Sequence, residues 1–119
     1  MRLKNIVIVV EDMERSKNFY KELFGLNPVR QFEGNVVLTE GLVLQEKTGW
    51  EKLNGKMVSF GGSACELYFE THDLEAFQKK LDDSGLAVEY LCRLTTYEWG
   101  QRAIRFYDPD GHLIEVGEA

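Results

Sequence analysis

Residues 6–10, Ile-Val-Ile-Val-Val, are β-branched at every position, and the run stops at Glu11-Asp12. A short apolar stretch of this kind reads as a buried or half-buried strand. Asp12 is a good helix N-cap, and Met13, Phe19, Tyr20, Leu23 and Phe24 recur at helical spacing up to the stop signal Gly25. The order then returns. Glu66-Leu-Tyr-Phe-Glu-Thr71 reads as a strand, Asp73 as an N-cap, Leu74, Phe77 and Leu81 as one helical face, and Gly85 as the stop. Asp12 and Asp73 set the offset of this repeat at 61 residues.

Each helical segment is followed by a strand, 28–32 in the first copy and 87–91 in the second, and then by a hairpin. The first hairpin runs through 35–39, the turn Glu40-Gly41 and 42–47; the second runs through 102–107, Asp108-Pro-Asp-Gly111 and 112–117. Matching Gly41 to Gly111 gives an offset of 70 for the final strands, the second copy being lengthened by a loop at 94–100. The pattern predicts an α+β chain of two βαβββ modules in one domain. Module one spans about 1–47, a glycine-rich connection 48–63, and module two about 64–119. The connection could carry a short strand or a lid.

Side chains alternate along a strand, so one face packs on the helix and the other is free to line a hollow. If Ile6, Ile8 and Val10 cover the helix, then Asn5, Val7 and Val9 face the other way. The same phase turns Glu66, Tyr68 and Glu70 to that face, with Val43, Gln45 and Lys47, and Leu113, Glu115 and Gly117. In this alignment Asn5 corresponds to Glu66 and Gln45 to Glu115, and a two-fold arrangement of modules would gather four oxygen-bearing side chains. Carboxylates within about 4–6 Å raise one another's pKa. Glu66 and Glu115 would then share a cation, share a proton or keep water between them, unless they are strand carboxylates paired with Lys or Arg.

Further candidates lie in the loops and the last hairpin. Trp99, Tyr97 and Trp50 fall in the two long loops and could stack on a planar or cationic ligand. Arg102 and Arg105 point to opposite faces of one strand, so at most one can reach the hollow, to bind an anionic ligand or neutralise Glu115. His112 is out of phase with Glu115 and reads as structural, and Asp108-Pro-Asp-Gly111 is a tight-turn sequence by its chemistry.

Composition narrows the classes. At 119 residues, 44% hydrophobic and 29% charged, the chain matches a globular domain. A net charge of −6 opposes nucleic-acid binding, which needs a basic stripe. No apolar run approaches the roughly 18 residues of a membrane span. The two cysteines, Cys65 and Cys92, form no C-x-x-C pair and favour a reducing, cytoplasmic setting.

The opening Asn5-Ile-Val-Ile-Val-Val-Glu-Asp12, with Ser16, Phe19-Tyr20 and Leu23-Phe-Gly-Leu26, resembles the start of vicinal oxygen chelate proteins, the glyoxalase/bleomycin-resistance/dioxygenase superfamily. Trp99-Gly-Gln-Arg102 and Phe106-Tyr-Asp-Pro-Asp-Gly-His-Leu-Ile-Glu115 resemble their closing hairpin. The resemblance implies paired modules forming a half-open barrel around a small-molecule ligand or metal, in a homodimer. It implies metal ligands at Asn5, Gln45, Glu66 and Glu115, where histidines usual at the positions of Asn5 and Glu66 are missing. That loss argues against a ring-cleaving dioxygenase, and the all-oxygen set that remains suits a divalent cation such as Mg2+ or Mn2+. Three functions stay open. One is a small-ligand binder of the bleomycin-resistance type, with Asn5, Gln45, Trp99, Tyr68, Arg102 and Trp50 contacting the ligand. Another is a metal-dependent lyase or isomerase resembling glyoxalase I, with Glu66 and Glu115 as ligand and base. The third is a protein-interaction module.

Overall fold

The computed structural model describes every residue, Met1–Ala119, and divides into two compact units, Met1–Ser59 and Phe60–Ala119. The first contains β1 (Ile6–Val10), α1 (Met13–Phe24), β2 (Pro28–Phe32), β3 (Asn35–Leu38), a 3-10 turn, β4 (Leu42–Glu46) and α2 (Lys47–Asn54). The second contains β5 (Glu66–Thr71), α3 (Leu74–Asp83), β6 (Glu89–Thr96), β7 (Arg102–Tyr107) and β8 (Leu113–Glu118). Each unit therefore carries the expected βαβββ order, in an α+β fold. The two four-stranded sheets have matching orders, β1-β4-β3-β2 and β5-β8-β7-β6. In both, the first strand lies parallel to the last, and the remaining pairs are antiparallel.

The local causes are those legible in the chain. Asp12 and Asp73 sit in extended backbone, and each carboxylate accepts the N–H three residues on, from Arg15 and Ala76. Each satisfies one of the N–H groups that a helix start leaves without a partner. Gly25 ends α1 at φ 67°, a left-handed conformation that any side chain would strain, and its N–H closes onto the carbonyl of Lys21. The helices bury one face. In the first unit Tyr20 and Leu23 of α1 are buried, as are Val10, Leu38 and Leu44; in the second, Leu74, Ile104, Phe106 and Ile114 are fully buried. Ile8 and Val10 are buried while Val7 is half exposed, as the alternation predicts, but Ile6 at the start of β1 is as exposed as Val7 and covers no helix.

Three features differ from expectation. Lys47 does not end a strand but begins α2, so the connection opens as a helix, and Trp50 stands on that helix rather than in a loop. α2 packs against β1 and β4 and ends at Gly55, φ 66°. β6 runs on to Thr96, which shortens the loop that carries Tyr97 and Trp99. The third difference is one of register. Val7 lies opposite Val43, whereas Tyr68 lies opposite Glu115, so Val43 and not Gln45 occupies the position of Glu115. The hairpin partners agree, since Val37 faces Val43 and Arg105 faces Glu115. The β3–β4 turn is shorter than the β7–β8 turn, and aligning their glycines displaced the final strands. No helix of the chain is long and apolar enough to cross a bilayer.

Candidate functional site

On the face of the second sheet away from α3, strand pairing sets four side chains in a line across all four strands. Tyr68 of β5 lies opposite Glu115 of β8, Glu115 opposite Arg105 of β7, and Arg105 opposite Cys92 of β6. The same line in the first unit reads Val7, Val43, Val37 and Arg30. The backbone repeats, but the polar chemistry belongs to the second copy.

Glu115 is 5% exposed and both of its oxygens are engaged. Arg105 Nη2 lies 3.0 Å from Oε1, and Gln101 donates from Nε2 to Oε2 at 3.0 Å. A buried carboxylate is costly unless it is paired and hydrogen-bonded, and both conditions are met here. Burial works against the Arg105 charge, but the Cys92 hydrogen bond and the charge of Glu115 outweigh it and raise the guanidinium above its ordinary range. Glu66 lies opposite Leu113, two residues along β8 from Glu115 and on the same face. Desolvation and then the adjoining charge of Glu115 push the Glu66 carboxyl upward, with Arg105 pulling the other way.

Loop residues complete the cluster. The Tyr97 hydroxyl accepts a hydrogen bond from Arg105, whose Cζ lies 4.9 Å from the Tyr97 ring centroid. Tyr97 stacks on Trp99 at 4.7 Å and 14°, and the indole Nε1 donates to Gln101 Oε1 at 3.0 Å. Cys92 Sγ is 3.4 Å from the Tyr97 hydroxyl. Burial raises the Cys92 thiol, but hydrogen bonds with Tyr97, Arg105 and Thr95 prevail and hold it below the usual thiol range. Gly117, beyond Glu115 on the same face, is covered by the Tyr68 ring, and a Cβ there would collide with it.

The remaining candidates sit elsewhere. Arg102 turns to the helix side, where Nε donates to Glu118 at 2.8 Å and Nη2 to Glu75 at 3.2 Å, so it ties α3 to β8 instead of contacting a ligand. Glu75 is held below the usual carboxylate range by that contact. Arg105 is the arginine on the open face. In the first unit, Gln45 lies opposite Val9, while Asn5 precedes the Ile6–Leu42 pair and its Oδ1 comes within 3.6 Å of where a Gly41 Cβ would stand. Asn5 and Gln45 are therefore four residues apart in register, about 13 Å along the strand. The Gln45 carbonyl accepts from Asn35 Nδ2 at 2.8 Å, and its amide donates to the Glu46 carbonyl. It is a structural amide at the start of α2.

A second group lies in the β7–β8 turn. Asp108, Asp110 and His112 offer ligand atoms all within 4.8 Å of one another, a set that could hold a metal ion and that the turn sequence did not suggest. The geometry has a structural cause as well. Asp108 Oδ1 accepts from the N–H groups of Asp110 and His112, and Oδ2 lies 2.7 Å from His112 Nδ1. Burial disfavours charge on His112, but the hydrogen bond and charge of Asp108, with the charge of Asp110, outweigh it and raise its pKa. The stability this pair supplies is complete below the unfolded histidine value of about 6.5 and is lost as pH rises through the higher folded one. His112→Gln is expected to lower the urea midpoint more at pH 5.5 than at pH 9; an equal loss at both would contradict the pairing.

At Glu115 the donor set fits a divalent cation poorly. The Glu66 carboxyl adjoins it, but both Glu115 oxygens have partners, and a guanidinium 3.0 Å away would repel the ion. Gln45 and Asn5 offer no adjacent pair of oxygens in the first unit.

A family model described as a glyoxalase-like domain matches residues 3–119. The uncharacterized protein YraH of Bacillus subtilis (strain 168) is 29% identical, over 98% of this chain and 97% of its own length. Glyoxylase I 4 of Arabidopsis thaliana is 26% identical, over 96% of this chain and 68% of its own. The crystal structure of a protein of unknown function from Agrobacterium tumefaciens str. C58 is 36% identical, with a TM-score of 0.85 over 100% of this chain and 94% of that one.

Proposed function

Starting from the family to which this chain belongs, that of the glyoxalase-like domains, we propose that it binds a small organic ligand against the open face of its second sheet. The observation that carries the reading is the engagement of Glu115. The carboxylate at the position where the superfamily resemblance puts a metal ligand is closed off by Arg105 and Gln101, which makes it the floor of a polar surface. Around it stand side chains suited to an organic molecule: the exposed rings of Tyr68 and Trp99, and the carboxyl of Glu66. Tyr68 and Trp99 supply apolar area with polar tips, the usual lining of a small-molecule site.

A second reading has one observation in its favour. Glu66 holds a proton more readily than an ordinary carboxyl, as a group that moves protons between neighbouring carbons would need to. In that case the protein is a lyase or isomerase, in keeping with the name of its Arabidopsis relative, and Glu66 is the acid/base.

Native mass spectrometry of the protein purified from expressing cells tests the first reading. The expected result is an added organic mass, lost on Tyr68→Ala or Trp99→Ala, with no turnover of the glutathione hemithioacetal of methylglyoxal. Turnover of that substrate, abolished by Glu66→Gln, would replace the first reading by the second.

A further inference from the structure

Trp99 is 70% exposed, yet it is held on every side that faces the protein. Its contacts close a ring. The indole N–H donates to Gln101, Gln101 donates to Glu115, Arg105 pairs with Glu115 and donates to Tyr97, and Tyr97 stacks on the inner face of Trp99. The backbone tightens the same loop, since Tyr97 N–H donates to the Gln101 carbonyl at 2.8 Å and Gly100 N–H to the Tyr97 carbonyl at 2.9 Å. A surface indole ordinarily keeps its rotamer freedom. This one is held by a hydrogen bond and a stacked ring, which lowers the ordering cost a ligand would otherwise meet on binding.

We propose that Glu115 is the positioning residue of an aromatic platform, setting the outer face of Trp99 through Gln101, Arg105 and Tyr97 so that it stacks a planar, positively charged organic ring. The proposal rests on the reading of this face as a ligand-binding surface and names the class of ligand. Planarity follows from the bare indole face, whose partner must lie flat to match the stacking already present beneath it. Positive charge follows from the surroundings. Tryptophan is the strongest cation–π partner, exposed Glu98 adjoins it in the loop, Glu66 lies on the same face of the sheet, and the cation of this cluster, Arg105, is already committed to Glu115. A carboxylate in the position of a metal ligand would thus act at a distance, through the loop it anchors.

Proton NMR of the two indole N–H groups, with the Trp99 signal identified by its loss in Trp99→Phe, tests this during titration with three probes. These are 1-methylnicotinamide, a planar cation; nicotinamide, its neutral planar counterpart; and tetramethylammonium, a cation that cannot stack. The expected result is a saturable ring-current shift at Trp99 with 1-methylnicotinamide, several-fold weaker binding of nicotinamide, and no shift with tetramethylammonium. Glu115→Gln and Gln101→Ala are expected to move the free Trp99 N–H signal and to weaken 1-methylnicotinamide roughly tenfold. Glu118→Gln, which removes the same charge from the helix side of β8, is expected to leave both unchanged. Wild-type affinity in both Glu115→Gln and Gln101→Ala would overturn the role of Glu115. An organic ligand that co-purifies while Trp99 responds to none of the probes would overturn the platform and leave the binding reading standing.

Discussion

Arg105→Leu is expected to destabilise the protein by about 3–5 kcal/mol, because it leaves the buried Glu115 carboxylate with Gln101 and the adjoining Glu66 carboxyl but no cation. Both side chains are well covered, 19% exposed for Arg105 and 7% for Glu115, so solvent screens the pair weakly. The double variant Arg105→Leu/Glu115→Leu is expected to recover most of the loss, since two apolar side chains facing each other across β7 and β8 leave no orphaned charge. Denaturant unfolding of the two single variants and the double gives the coupling directly. A cost below about 1 kcal/mol for Arg105→Leu would mean that Glu115 is solvated and that the row across the sheet is a surface feature.

The other large effect comes from the residue next to Arg105 on the opposite face of β7. Phe106 is fully buried, with the rings of Phe77 and Tyr90 at 6.2 and 6.4 Å. Phe106→Ala is expected to cost about 3–5 kcal/mol by lost burial and the cavity left behind. It should act through stability alone. At temperatures well below its lowered melting point the Trp99 indole N–H signal is expected to remain where it is in the wild type, because the contacts that hold Trp99 lie on the other side of the strand. A shifted Trp99 signal in folded Phe106→Ala would show that the two faces of β7 are coupled. Together the two variants separate the packing that forms the sheet from the polar row that it displays.

What the chain disclosed beforehand was local and periodic. Asp12 and Asp73 cap their helices as read, and the alternation in β1, β5 and β8 put Glu66, Tyr68 and Glu115 on one face. Those properties depend on near neighbours in sequence. What the chain withheld was pairing. Matching the turn glycines equates Gln45 with Glu115, but register follows the strand hydrogen bonds, and turns of unequal length shift the equivalence to Val43. The choice between Arg102 and Arg105 turned on which face holds α3, and Glu75 on that helix claims Arg102. Gln101 was invisible as a partner of Glu115 because it lies just outside the strand, where alternation says nothing. The helix α2 was hidden by the glycine inside it. Gly49 lowers helix propensity, and only packing against β1 and β4 outweighs it. The turn set of Asp108, Asp110 and His112 had a signal, three potential ligands at alternate positions, that the evident turn chemistry of Pro109 and Gly111 masked.

Manganese titration followed by electron paramagnetic resonance tests most directly whether Glu115 is closed to metal. With Arg105 and Gln101 in place, Glu115→Gln is expected to leave Mn2+ binding unchanged, any ion taken up being held elsewhere, as at Asp108, Asp110 and His112. A stoichiometric Mn2+ site in the wild-type protein that disappears in Glu115→Gln would contradict the account.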